Sequence, residues 1–287
     1  METKQKARIF LCAMLVSFSM AATGEAATHQ LTCSGQQTIS AALRGLQAGD
    51  TLSVSGTCNE NVVIPEQVVN VTLDGQGTAT INARDASDPT INVRGHGITI
   101  RNFVSVAGGE TGISVTRGGA ATIDSNVIQD TGGNGIVVNL NSSARIINNT
   151  IRKNPQSGIV ITDSSSARIG FLLTEDTQAQ ANLIQNNGEN GITVARASNA
   201  RIVGNTISGN GDNGVIVTRV SHADVSSNTI DNNGGDGVFV FRNSGVNLGE
   251  DTGSGIFDSP NTYQCQQHGF RSQMCHQLLC RWAPRNS

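Results

Sequence analysis

Arginines at 117, 196, 219 and 242 stand on a common interval, the last three being 23 residues apart. Carried backward, with one longer step of 33, the interval puts Arg117, Leu140, Asp163, Arg196, Arg219 and Arg242 in one column. A second column, seven residues earlier, holds Glu110, Gly133, Gln156, Glu189, Asp212 and Gly235, with Asp236 beside the last. Guanidinium groups at a regular spacing suit carboxylates, which they grip in a two-point fork. The arginine column therefore reads as a groove for an anionic polysaccharide, in which Arg196, Arg219 and Arg242 would bind uronates and Asp163 or Asp212 would carry acid–base work. The same residues also describe a solvated edge with an Asp163–Arg196 ion pair worth about 0–1 kcal/mol, and that is the plainer reading. Calcium takes six or more oxygen ligands, which the degenerate acidic column does not assemble, so no cofactor is expected. Histidines 29, 96, 222, 268 and 276 lack metal-ligand spacing, and neither G-x-S-x-G nor a phosphate loop occurs.

The elements that must carry these columns follow from the same interval. "NTISGNGDNGVIV" at 205–217 is echoed at 182–194 and 228–240, and more loosely at 126 and 149. Aligned on the glycine before the apolar run, the repeats place Gly112, Gly135, Gly158, Gly191, Gly214 and Gly237 in register, with steps of 23, 23, 33, 23 and 23. A fixed period of this size marks a solenoid, and the 33-residue step implies a ten-residue excursion from one coil. Within each repeat G-I/V-x-V/I has period two and β-branched residues, the pattern of a short strand. A second strand, such as Arg201-Ile-Val203 or Asp224-Val-Ser226, precedes an N-x-I element beginning at Asn102, Asn126, Asn149, Asn182, Asn205 or Asn228. The expected fold is thus all-β, a single-stranded parallel β-helix with coils ~4.8 Å apart. Asn154, Asn187, Asn210 and Asn233 should stack as an amide ladder. Ile192, Val194, Ile202, Val215, Val217, Val225, Val238 and Val240 should line the interior. The outward column Ser114, Val137, Val160, Thr193, Ile216 and Phe239 reads as an apolar stripe covered by another segment or a partner.

Residues 1–26 read as a signal peptide: Lys4, Lys6 and Arg8 precede the apolar run Ile9–Ala22, and Gly24 and Ala26 are the small residues a signal peptidase reads. The expected localisation is secreted or periplasmic, with the mature chain beginning near Ala27. No later stretch approaches the ~20 apolar residues of a membrane span. Removing the leader takes away three of the 19 basic and two of the 22 acidic residues. The remainder is mildly acidic, so nucleic acid is not an expected partner. Residues 27–59 form an N-terminal cap, in which Ile39, Ala42, Leu43 and Leu46 fall at helical spacing behind Thr38. Cys33 and Cys58 flank that helix, and in an exported protein a disulfide there would close a loop of about 26 residues, worth roughly 3 kcal/mol.

The leader, "GDTLSVSGTCNENVVIP", "VTLDGQGTATI" and the N-x-I…G-I-x-V turns resemble the right-handed parallel β-helix proteins of the pectin-lyase-like superfamily over residues 60–262. The resemblance implies a right-handed solenoid, on which lyases, hydrolases, epimerases, adhesins and proteins without activity all occur. A polygalacturonase would show N-T-D, D-D, G-H-G and R-I-K. Only Gly95-His96-Gly97 is present, and it fits a polar turn. With no catalytic signature, the expected function is that of an exported polysaccharide-associated protein. The alternatives are a uronate lyase or epimerase and a non-catalytic scaffold or adhesin. Before residue 263 the mature chain has neither Trp nor Tyr, so ring stacking on sugars is not its means of recognition.

The repeat grammar ends near Thr262. Leu248-Gly249 is followed twelve residues after the glycine by Asn261-Thr262, as Ile169-Gly170 is by Asn182-Leu183, and an isoleucine is due next. Instead comes "YQCQQHGFRSQMCHQLLCRWAPRNS", with three cysteines and the only Trp and Tyr. One back-translation, shifted by a single base, restores N-T-I-N-V-N-N-T-G-F-G-V-K-C, so residues 263–287 read as an atypical, frameshifted tail. Such a tail would pack poorly, leaving Val238, Val240 and the Phe239–Phe241 face partly uncovered and the chain prone to self-association.

Overall fold

A computed structural model of the chain describes residues 26–33, 37–173, 176, 178–249 and 261–264. The expected signal peptide before Ala26, and the tail beyond Gln264 with its frameshift reading, lie outside the described residues. The rest is a parallel β-solenoid, as the period of the repeats predicts. Each full coil contributes three short strands, one more than the sequence reading counts, because the N-x-I element is itself a strand, as in Leu183–Gln185 and Thr206–Ser208.

The first sheet runs from Thr28–Cys33 and Thr51–Asn59 through Ser143–Ile147, Ser166–Ile169, Asn199–Val203 and His222–Ser226 to Gly245–Leu248. The second sheet carries the N-x-I strands as far as Thr262–Gln264. The third holds eight strands from Val62–Ile64 to Val238–Val240. All neighbours pair in parallel and in register, so like residues stack. Leu73, Ile100, Ile123, Ile146, Ile169, Ile202 and Val225 form one inward column. Ile81, Val106, Ile128, Ile151, Ile184, Ile207 and Ile230 form another. These side chains are 0–1% exposed. Of the eight expected interior residues, six are fully buried, while Val238 and Val240 on the last strand of the third sheet are half-buried. In the expected outward stripe Ser114 is buried, Val137, Val160, Thr193 and Ile216 are half-buried and Phe239 is exposed.

At the N-terminal end Ile39–Ala42 forms the expected short helix, with the Thr38 hydroxyl accepting from Ala41 N–H, and a 3-10 turn Leu43–Gly45 follows. Ile39 and Leu43 are buried against the first coils. Glu60 anchors the helix start, its carboxylate accepting from the N–H of Ile39 and from the N–H and hydroxyl of Ser40. Cys33 and Cys58 are joined in a disulfide with Cα atoms 5.0 Å apart.

The repeat glycine is required by space and not by its φ angle. A methyl added to Gly214 would lie 2.5 Å from Ile230 Cγ2 and 2.6 Å from the carbonyl oxygen of Gly237. One contact is the core and the other the next coil, so neither has room to give. Gly214→Ala is expected to lower stability by about 1–3 kcal/mol, the cost of overpacking a tight interior. Gly45→Ala, whose methyl would meet nothing within 4 Å, should leave the denaturation midpoint unchanged. Equal midpoints for the two variants would contradict the packing argument.

Candidate functional site

Turns between sheets are held by ladders of polar side chains. Asn126, Asn149, Asn182, Asn205, Asn228 and Asn261 form one: the Asn126 oxygen accepts from Phe103 N–H, and each later side-chain oxygen accepts from the backbone N–H and the amide of the asparagine one coil before it. The predicted ladder Asn154–Asn187–Asn210–Asn233 is built the same way. A serine ladder, Ser142, Ser165, Ser198, Ser221 and Ser244, closes the turn from the third sheet to the first. Fixed turns on both flanks leave the first-sheet strands no freedom of register, so their outward side chains stand in straight columns.

One outward column reads Thr122, Arg145, Arg168, Arg201, Asp224 and Asn247. Beside it runs Ala120, Ser143, Ser166, Asn199, His222 and Gly245. All but their last members, Asn247 and Gly245, line a groove of about 510 Å³ across the first sheet, from Gly97 and Ala120 to His222 and Asp224. It crosses five paired strands, or roughly 19 Å at ~4.8 Å per coil. Small residues form its floor, and arginines one coil apart form one side.

The arginines are positioned by more than their strands. The 33-residue coil leaves the first sheet at Gly170, whose φ is +98°, and the next residue, Phe171, is 1% exposed. Arg168 and Arg201 sit 5.8 and 5.3 Å from the Phe171 ring centroid, within cation–π range. Arg168 Nη1 also donates to Leu172 O at 3.2 Å. Arg201 Nε lies 3.9 Å from Asp224 Oδ2. The other oxygen of Asp224 meets His222 Nε2 at 3.2 Å and accepts from Asn247 Nδ2 at 2.8 Å. Arg145 is exposed and makes no ion pair among the described residues.

Charge is also organised on the N-terminal side of this sheet. Burial opposes ionisation of Asp74, but the N–H of Gln76, the amide of Asn102 and the Arg101 guanidinium at 2.8 Å together outweigh it and hold the carboxyl below its ordinary 3.8. Among the described residues no three His, Cys, Asp or Glu side chains are grouped so as to hold a metal ion. Nor is any described helix long and apolar enough to cross a membrane.

The family described as "Right handed beta helix region" matches residues 52–171 and 170–259, which is most of the chain. The chain belongs to this right-handed β-helix family. Among solved structures, this β-helix is similar to the A-module of the Azotobacter vinelandii mannuronan C-5 epimerase AlgE6. They share 16% identity over 76% of this chain and 72% of that one, with a TM-score of 0.45. It is likewise similar to the pectate lyase Pel9A, at 14% identity over 76% and 78% of the two chains and a TM-score of 0.45. No curated protein matches the sequence.

In this β-helix the column selected from the sequence lies on the turn from the third sheet to the first, not in the groove. Arg117, Leu140, Asp163, Arg196, Arg219 and Arg242 all have φ between 52° and 57°, and the C=O of each member after the first accepts from the N–H of the residue that follows the member one coil before it. Asp163 and Arg196 do meet, at 3.2 Å, with side chains 31% and 56% exposed, a pairing that solvent screens to little net stability. Arg242 rests over Phe241, 5.0 Å from its ring centroid, and Arg219 is exposed. Asp212 precedes the strand Val215–Val217 and Arg219 follows it, so these two stand at opposite edges of the third sheet. His96 is exposed between the strands Ile91–Val93 and Ile98–Arg101, where it forms an isolated parallel bridge with Val69 and its C=O accepts from the N–H of Asn70.

Reading from the sequence passed over Arg145, Arg168, Arg201, His222 and Asp224. The signal was present: ten residues after Gly112, Gly135, Gly158, Gly191, Gly214 and Gly237 stand Thr122, Arg145, Arg168, Arg201, Asp224 and Asn247. Period-two alternation puts these residues on the outward face of the strand whose inward side chains build the core.

Proposed function

We propose that this right-handed β-helix is an exported polysaccharide-associated protein that holds an extended uronate polymer along the first-sheet groove. The observation that carries the reading is the column Arg145–Arg168–Arg201, three guanidinium groups one coil apart beside a floor of small residues. Guanidinium forks match carboxylates, and a polyuronate presents one carboxylate per sugar along a single direction. Among the described residues no Phe, Tyr or Trp side chain lines the groove, so recognition rests on charge and hydrogen bonding. Affinity electrophoresis of the mature protein should show retardation by polygalacturonate or alginate at low ionic strength, none by neutral dextran, and loss of the effect in molar salt, where the Debye length falls to about 3 Å. Equal retardation by dextran, or none by either polyuronate, would overturn the proposal.

A second reading is favoured by His222, held against Asp224 in the same groove. Histidine is the side-chain type suited to exchanging protons near neutral pH, and both lyases and C-5 epimerases remove the proton next to a uronate carboxylate. Ultraviolet absorbance of unsaturated products, with and without added calcium, detects the first activity, and product analysis by NMR detects the second. Binding without either reaction identifies a scaffold or adhesin.

A further inference from the structure

Ala27, the first residue after the expected signal-peptidase site, is tied to a buried acid. Its N–H donates to Asp50 Oδ1 at 2.9 Å, and its C=O accepts from the N–H of Thr51 at 2.8 Å. The second Asp50 oxygen accepts from Gln47 N–H at 2.8 Å and meets His29 Nε2 at 3.0 Å. Asp50 is 4% exposed. The N–H groups of Gln47 and then of Ala27, working against burial, hold its carboxyl below the ordinary carboxylate range, so it is an anion at neutral pH. In the unprocessed chain this anion faces Ala27 as a neutral amide.

We propose that the chain is cleaved between Ala26 and Ala27 and that the α-ammonium thereby created forms an ion pair with Asp50 that locks the first coil. Water adds across the peptide bond under a signal peptidase: the hydroxyl goes to the Ala26 carbonyl carbon and the other proton of water to the Ala27 nitrogen, and the new acid then gives up its own proton, leaving a carboxylate on Ala26 and an ammonium on Ala27 at neutral pH. Gly24 and Ala26 supply the small residues that such an enzyme reads. The contact that exists as a hydrogen bond from a neutral amide to the Asp50 carboxylate becomes an ion pair, charged on both sides, at the point where Thr28–Cys33 begins to pair with Thr51–Asn59. Removal of the leader then strengthens the N-terminal end of the solenoid, where no earlier coil among the described residues covers the ladder.

The test begins with the protein secreted from the full-length gene. N-terminal sequencing and intact mass should give Ala27 as the first residue, and any other first residue overturns the proposal. The second arm compares amide hydrogen exchange at Thr51 in the mature protein and in the same protein acetylated on its α-amine, a modification that restores the neutral amide. Exchange should be about tenfold faster after acetylation, which keeps the N–H but removes the charge on the donor side of the pair. In Asp50→Asn, acetylation should make no difference. Equal protection in the acetylated and unmodified wild-type protein overturns the ion pair, and that comparison decides the matter even where Asp50→Asn does not fold.

Discussion

Asn182→Ala is expected to lower the stability of the β-helix by about 4 kcal/mol or more, the largest effect of any single substitution outside its apolar core. Asn182 is 1% exposed and sits in the middle of its ladder. Its amide donates to Ile146 O at 2.7 Å and to Asn205 Oδ1 at 2.9 Å, and its oxygen accepts from the backbone N–H and the amide of Asn149 at 2.9 and 3.0 Å. Alanine removes all four bonds without letting water in: Asn149 N–H is left unpaired, at about 1–3 kcal/mol, while Ile146 O, Asn205 Oδ1 and Asn149 Nδ2 each keep another partner and lose about 0.5–1.5 kcal/mol apiece. Asn182→Asp should be as harmful, because an oxygen in place of Nδ2 would face the Ile146 carbonyl and the Asn205 oxygen, both acceptors. Gln185→Ala, on the outward face of the same strand, should stay within about 0.5 kcal/mol of wild type. Urea denaturation followed by far-ultraviolet circular dichroism measures all three. A midpoint for Asn182→Ala that coincides with wild type would mean the ladder is not cooperative.

That ladder also shows how much of the fold is legible in the sequence. Parallel stacking puts like on like, so an interval of 23 residues converts directly into neighbours in space, and the glycine, asparagine and inward aliphatic columns follow from counting. The reason for the glycine does not follow. Gly214 looks like a turn residue, whereas its constraint is the approach of Ile230 and the Gly237 carbonyl, which counting along one chain does not reveal. Phe171 was illegible for a different cause. It lies in the excursion that breaks the period, and its place beneath Arg168 and Arg201 depends on how that excursion leaves the sheet. Tyr263 stands where the period calls for isoleucine. The structure pairs it with Ile230 at the end of that column, half-buried, and burial pushes its hydroxyl above the ordinary tyrosine range. The columns of the candidate site were equally countable, but a count does not say which outward face is a groove and which is a turn. Arg196 and Arg219 recur as regularly as Arg168 and Arg201, and only the sheets distinguish them.

The same distinction sets the second large effect. Arg168→Ala combined with Arg201→Ala is expected to weaken binding of a polygalacturonate oligomer about 100-fold, since each charge-assisted contact contributes roughly 1.5–3 kcal/mol. Arg201→Ala acts twice, because it removes a fork and deprives Asp224 of the cation 3.9 Å away, leaving a carboxylate to repel the ligand. Phe171 preorients both guanidinium groups, so the bound state needs little further ordering of two long side chains, and the loss should fall mainly on affinity and on its salt dependence. Arg196→Ala combined with Arg219→Ala carries the same change in net charge on the turn row. One of its members is already paired with Asp163, and binding should change less than threefold. Titration calorimetry at two salt concentrations, with circular dichroism to establish that both double variants keep the fold, separates the outcomes. If the turn-row pair loses binding and the groove pair keeps it, the ligand lies along the turns between the third and first sheets, and the first-sheet column is an edge of solvated charge.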